Sequence, residues 1–173
     1  MRIYLIGYMG CGKSTTGKGL AKALNLQFID LDTFIESRNH KTIPEIFATE
    51  GESGFRVVEQ KALQEVSSFE DVIIATGGGA PCFFDNMEVI KKTGVSIFLN
   101  GSPGILARRL LHSKTERPLI KGKSEQELID FIHDTLAKRN QWYKQADIVI
   151  DFDQDLHIKD VIRMIDSYEA TLR

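Results

Sequence analysis

Apolar residues gather in five short runs, near 2–6, 26–29, 72–75, 95–99 and 147–150, and the segments between them repeat apolar side chains at helical spacing. This alternation predicts an α/β fold in which a parallel sheet carries helices on both faces. Start and stop signals agree with it. Thr42-x-x-Glu45 forms a capping box ahead of IPEIFATE, Gly51 follows that segment, and Ser124-x-x-Glu127 opens a later helix. No internal repeat or low-complexity linker breaks the chain. The one long polar interruption is LLHSKTERPLIKGKSE, residues 110–125, which carries Pro118 and Gly122 between two helical segments. It reads either as a surface connection or as a mobile lid.

The first run leads directly into chemistry. GYMGCGKS, from Gly7 to Ser14, fits G-x-x-x-x-G-K-[ST], and it lies between the strand at Arg2 to Ile6 and helical spacing from Thr15 to Leu24. Strand, glycine loop and helix is the order that phosphate binding requires. The backbone N–H groups of Gly10, Cys11, Gly12 and Lys13 can turn toward phosphate oxygens at the positive end of the following helix. Lys13 is then expected to reach the β and γ phosphates of ATP. The Ser14 hydroxyl is expected to bind Mg2+, and Thr15 completes the nucleotide-binding run.

Composition narrows the partners. The 173 residues are expected to form one domain, and a net charge of −2 with 42% hydrophobic residues gives no overall basic field for nucleic acid and no disordered character. No apolar run approaches the roughly 20 residues of a membrane span, and the first run is too short for a signal peptide, so the cytosol is the expected location. Cys11 and Cys82 are read as free thiols, and the four histidines show no metal-ligand spacing.

A phosphate loop serves switches, motors and small-molecule kinases, and the second carboxylate separates them. No N-K-x-D segment for guanine is present. Ile148-Val149-Ile150-Asp151 comes close to the four apolar residues and Asp of motor proteins, whereas Val72-Ile73-Ile74-Ala75, the better central strand, ends in Thr76 and Gly77. Phe28-Ile29-Asp30-Leu31-Asp32 ends the second strand with two acids, at the edge where ligands bind in open α/β sheets. In extended backbone Asp30 and Asp32 would project to the same side, one toward the metal's water and one toward the acceptor. Alternatively Asp32 is the N-cap of a helix over 33–38.

Three further stretches belong to the same edge: Gly51-Glu52-Ser53-Gly54-Phe55-Arg56 with Glu59, Gly77-Gly78-Gly79, and Lys138-Arg139-Asn140. With them the chain resembles the shikimate kinases. GYMGCGKST, FIDLD, GESGFRVVE, ATGGGA, ERPLI and KRN followed by WYKQAD stand in that family's order over nearly the whole length.

The resemblance implies a three-layer P-loop kinase fold related to nucleoside monophosphate kinases, with a five-stranded parallel sheet and a mobile lid. It implies transfer of the γ-phosphate of ATP to the 3-hydroxyl of shikimate, with Mg2+, in aromatic amino acid biosynthesis. By motif, Asp32 would accept hydrogen bonds from acceptor hydroxyls, Arg56 and Arg139 would grip the acceptor carboxylate, and Glu59 would hold Arg56. Gly78 would offer a backbone N–H where a side chain would intrude. Arg117 would come in with the lid to stabilise the transferring phosphoryl group, and Arg109 would lie beside adenine. Asp155 belongs to the adenine-contacting segment near 152–155, where the chain has one residue fewer after Tyr143 than the family commonly has. A monomer is expected, because the site residues lie within one chain. Read without the resemblance, Arg56 and Arg139 are equally solvated helical charges, and the triplet a strand-to-helix turn. A gluconate kinase and a non-catalytic nucleotide-dependent binding module are the competing functions.

Overall fold

Ile3, Tyr4, Leu5 and Ile6 have no exposed surface at all. Successive residues of a strand point to opposite faces, so four in a row can be buried only if the sheet is covered on both sides. In the computed structural model, which describes residues 1–114 and 120–173, these residues form the central strand. The strands are β1 (Arg2–Ile6), β2 (Gln27–Asp30), β3 (Val72–Ala75), β4 (Val95–Gly101) and β5 (Ile148–Phe152). They pair in the order β2-β3-β1-β4-β5, every pair parallel. The helices are α1 (Lys13–Leu24), α2 (Leu31–Asn39), α3 (Ile43–Val66), α4 (Asn86–Thr93), α5 (Pro103–Leu111), α6 (Glu125–Tyr143) and α7 (Ile158–Thr171), with a short 3-10 turn at Ala80–Cys82. The predicted α/β class and all five predicted strands are present.

Because β2, β3 and β1 stand side by side and run the same way, the segments that follow them emerge along one edge. These are the Asp30–Asp32 turn, the glycine triplet and the phosphate loop.

Three local details bear on the sequence reading: the first agrees with setting Asp151 aside, and the other two differ. First, β5 is an edge strand in which Ile148, Ile150 and Phe152 are buried while Val149 and Asp151 are exposed. An apolar run at the sheet's edge is covered on one face only, so Asp151 points away from the core and binds Asn100 Nδ2 at 2.6 Å. Second, β2 stops at Asp30, and Asp32 lies in the first turn of α2. Asp30 has extended backbone, and its Oδ1 accepts from the Thr33 N–H at 3.2 Å, so Asp30 rather than Asp32 is the N-cap. The expectation that the two acids extend together from a strand is corrected accordingly. Third, the helical run through Gly51 does not end there but kinks, since Gly51 takes φ 69° and ψ −177° inside α3. Both predicted capping boxes are formed, at Thr42 and Glu45 and at Ser124 and Glu127.

The last strand is fastened by one carboxylate. Asp147 Oδ2 accepts from both the N–H and the Oγ of the fully buried Ser96, at 2.8 and 2.7 Å, while its Oδ1 accepts from Tyr168 Oη at 3.0 Å. One side chain thereby ties β4 and α7 to the start of β5. Asp147→Ala leaves buried donors without an acceptor and should cost about 1–3 kcal/mol of stability. A urea unfolding curve reads this as a lower midpoint with an unchanged slope. A midpoint equal to that of the wild type would show that the network contributes nothing.

Candidate active site

Gly12 caps α1 in the left-handed region, with φ 94°, a conformation that glycine adopts without strain. The loop between β1 and α1 therefore turns back onto the helix N-terminus, where the free backbone N–H groups and the helix dipole favour an anion. Lys13 folds over this loop, its Nζ donating to the Gly7 and Tyr8 carbonyls at 2.7 and 3.1 Å. The Cys11 N–H donates within the loop to the Tyr8 carbonyl at 3.2 Å, and the Cys11 side chain is buried. Ser14 Oγ donates to Asp30 Oδ2 at 2.7 Å.

A cavity of about 740 Å³ opens over the loop. It gathers Gly10, Cys11, Gly12, Lys13, Ser14 and Thr15 with Asp30, Asp32, Gly78, Arg109 and Asp155, all expected from the sequence. At one end Arg109 donates to Asp155 Oδ1 at 2.8 Å and to the Cys11 carbonyl at 3.3 Å, and lies over the Phe152 ring at 5.0 Å. Asp151, the motor-like alternative, lines a different cavity with Asn100, Pro103 and His133 and has no part in this one. Arg117 lies outside the described residues, as does part of the 110–125 connection; Leu110 and Ser113, at its near end, line the cavity.

The opposite end is built around the glycine triplet. A Cβ at Gly77 would lie 3.0 Å from Glu59 Oε2 and 3.2 Å from Asp32 Oδ1; one at Gly78 would lie 3.4 Å from Arg139 Nη1; one at Gly79 would lie 2.6 Å from Arg56 Nη2. Each glycine thus faces a different charged group, delivered by α2, α3 or α6. The tightest approach is at Gly79, whereas a Cβ at Gly78 meets Arg139 at ordinary contact distance.

Arg56 is not a solvated helical charge. Its side chain is 12% exposed, lies 4.0 Å from the centre of the Phe83 ring, and donates to Glu59 Oε1 at 2.8 Å. Glu59 is 1% exposed, and burial raises its pKa against the opposing pull of Arg56. Arg139 is half-buried, lies 5.7 Å from the centre of the Tyr8 ring, and donates to Tyr143 Oη at 3.4 Å. Tyr143 and Phe83 were not singled out as site residues in the sequence. The i, i+4 spacing of Arg139 and Tyr143 on α6 was the one available signal for the first. Phe83 reaches Arg56 only through the tertiary fold. Cys82 stands close by, and burial pushes its thiol up to about 11, which keeps it protonated and unreactive at neutral pH.

The site combines a phosphate loop, a carboxylate near Lys13 and two arginines set around a side-chain-free strand end. The family model for shikimate kinase matches residues 9–168. The chain belongs to the shikimate kinase family. The shikimate kinase of Bacteroides thetaiotaomicron is 52% identical over 154 residues, covering 89% of this chain and 88% of that protein. The shikimate kinase of Phocaeicola vulgatus is 48% identical over 171 residues, covering 99% and 98%. Among solved structures, the shikimate kinase of Acinetobacter baumannii in complex with shikimate matches with a TM-score of 0.84 at 33% identity, covering 99% of this chain and 94% of that one. A gluconokinase from Sinorhizobium meliloti, 19% identical with a TM-score of 0.60, shares the fold alone.

Asp32 gives this shikimate kinase site a measurable stability signature. Its surface is open to the cavity, yet protein surrounds it on most sides, and this burial raises its pKa, with the nearby Asp30 raising it further. A carboxyl group whose pKa is raised on folding binds its proton more tightly in the folded state. Its favourable contribution is complete below the unfolded pKa and is lost as pH rises through the folded one. Asp32→Asn should therefore raise Tm at pH 7, modestly because cavity water screens the charge, by about 1–3 °C. The gain should vanish near pH 3. A lower Tm at pH 7 for the variant would contradict the strain assigned to this carboxylate.

Proposed function

We propose that this chain transfers the γ-phosphate of ATP to the 3-hydroxyl of shikimate, giving shikimate 3-phosphate and ADP on the route to chorismate and the aromatic amino acids. The observation that carries the reading is the convergence of Asp32, Arg56 and Arg139 on Gly77–Gly79, beside the phosphate loop. A small acid bearing hydroxyls needs a cationic clamp for its carboxylate and an acceptor for its hydroxyl. The planar, many-donor guanidinium suits the first role better than an ammonium does.

ATP would lie along the loop with its phosphates on the N–H groups that lead into α1, held by Gly10, Cys11, Gly12, Ser14 and Thr15. Lys13 Nζ would exchange the Gly7 and Tyr8 carbonyls for β and γ phosphate oxygens. Arg109 and Asp155 would flank adenine at the far end. On the other side, Arg56 and Arg139 would take the acceptor carboxylate, the Gly78 N–H would donate to the acceptor, and Asp32 would hold the 3-hydroxyl in line with the γ-phosphate. Phosphoryl transfer depends mainly on position and charge neutralisation. Asp32 therefore acts chiefly by orienting the hydroxyl, and its raised pKa suits it to receive the proton as the bond to phosphorus forms. Arg117 would add charge at the transferring group as the 110–125 connection closes and excludes water.

Ser14 Oγ and Asp30 Oδ2, 2.7 Å apart beside the loop, are hard oxygen donors that fit Mg2+, and that ion would offset charge on the β and γ phosphates. Among the described residues no group of three or more His, Cys, Asp or Glu is arranged to hold a metal, so its other ligands would be phosphate and water. The reading includes a cytosolic monomer acting as one domain, since the proposed residues all come from a single chain. Among the described residues no helix is long and apolar enough to cross a membrane.

A coupled assay of ADP release tests the reading. With ATP and Mg2+, shikimate should drive turnover, while gluconate and nucleoside monophosphates should not. In the same assay Asp30→Asn, which keeps the helix cap, should raise the Mg2+ concentration for half-maximal rate, and Asp151→Asn should leave it unchanged. Turnover with gluconate in place of shikimate would overturn the substrate, and the reverse pattern of Mg2+ dependence would overturn the metal assignment.

A further inference from the structure

The two arginines at the glycine triplet are held by different kinds of partner. Arg56 is bound to the buried Glu59 at 2.8 Å and lies 3.7 Å from Glu52, so its charge is largely answered within the protein. Arg139 has no carboxylate within ion-pair distance among the described residues; its side-chain partner is the hydroxyl of Tyr143. That phenol is fully buried, and its ring packs on Phe98 of β4 with centroids 4.9 Å apart. Its own hydrogen goes to the Gly78 carbonyl in a short hydrogen bond. One oxygen therefore accepts from the guanidinium of α6 and donates to the peptide that follows β3.

We propose that Tyr143 is a positioning residue for acceptor recognition, its hydroxyl fixing the Arg139 guanidinium against the Gly78 peptide so that Arg139 meets the acceptor carboxylate with its charge undiminished. A carboxylate partner in this place would hold the arginine equally well but would cancel the charge the ligand must find. A phenol orients without neutralising. Burial pushes the Tyr143 hydroxyl well above its ordinary range, so it stays neutral across the working pH. The rigid ring matters too: anchored on Phe98, it gives the long arginine side chain a fixed end point, which lowers the entropy lost when the ligand binds.

This inference rests on the shikimate reading, and its test separates the two. Wild type and Tyr143→Phe are compared with shikimate and with its carboxamide, each at saturating ATP. The carboxamide keeps the ring and hydroxyls but gives Arg139 no anion. The measured quantity is the ratio of kcat/KM for the two acceptors within one preparation, from which the fraction of folded enzyme cancels. Tyr143→Phe should lower the shikimate-to-carboxamide ratio by about tenfold, through a higher KM for shikimate, while the KM for ATP stays within twofold of wild type. In an Arg139→Ala background the same substitution should change the ratio by less than twofold, because its route to the ligand is gone. A wild-type ratio in Tyr143→Phe, with shikimate still turned over, would overturn the positioning role alone. Failure of the wild-type protein to phosphorylate shikimate would overturn both readings.

Discussion

Everything at the acceptor end of the site depends on the chain after β3 having no side chains for three residues. A buried parallel strand brings its carboxyl end into the middle of the molecule, where helices from several parts of the sequence meet. A Cβ at Gly79 would fall on the Arg56 guanidinium and one at Gly77 would press on Glu59 and Asp32, while one at Gly78 would only touch Arg139. The triplet is thus a gauge that sets how closely four ionisable groups from α2, α3 and α6 approach one backbone segment. The Gly79 backbone, at φ −85° and ψ −15°, is accessible to any residue, so the requirement there is for room and not for an unusual conformation.

Assembling those charges works against stability. Asp32 and Glu59 both have pKa values raised by burial; Asp30 raises that of Asp32 further, and Asp32 raises that of Glu59. Arg56 offsets part of this cost through its short contact with Glu59, and the nearby Phe55 and Phe83 rings replace some of the water it has lost. The apolar strands and the Asp147 network supply the stability against which this local strain is held. The division fits a kinase whose catalysis lies in placing charges in advance of the reaction.

The parts of this arrangement that were legible in the sequence are those set by local rules. The phosphate loop reads clearly because strand, glycines, Lys13 and Ser14 are contiguous, and β1 and β3 read clearly because central strands are apolar without interruption. Asp151 resembles a motor-type acid because apolar residues precede it as in a central strand, and the sheet order gives the physical reason it is set aside: β5 is an edge. Asp30 and Asp32 stand out as a pair, but a spacing of two carries no sign of whether the strand continues or a helix begins between them. The sequence carries little sign of Tyr143 and none of Phe83, because their partners, Gly78 and Arg56, are tens of residues away in the chain and meet them only once the sheet has formed.

The measurement that reaches the centre of the account is a shikimate titration of Gly79→Ala by calorimetry. The added methyl would stand 2.6 Å from Arg56 Nη2, the far end of a flexible side chain, so the fold can accommodate it while the guanidinium cannot stay where it is. The expected result is a Kd for shikimate raised about tenfold or more with the Kd for ATP close to wild type, and a lower Tm as Arg56 is pushed off the buried Glu59. A variant that binds shikimate as tightly as wild type would contradict the claim that the triplet's empty side-chain positions set the geometry of the acceptor site.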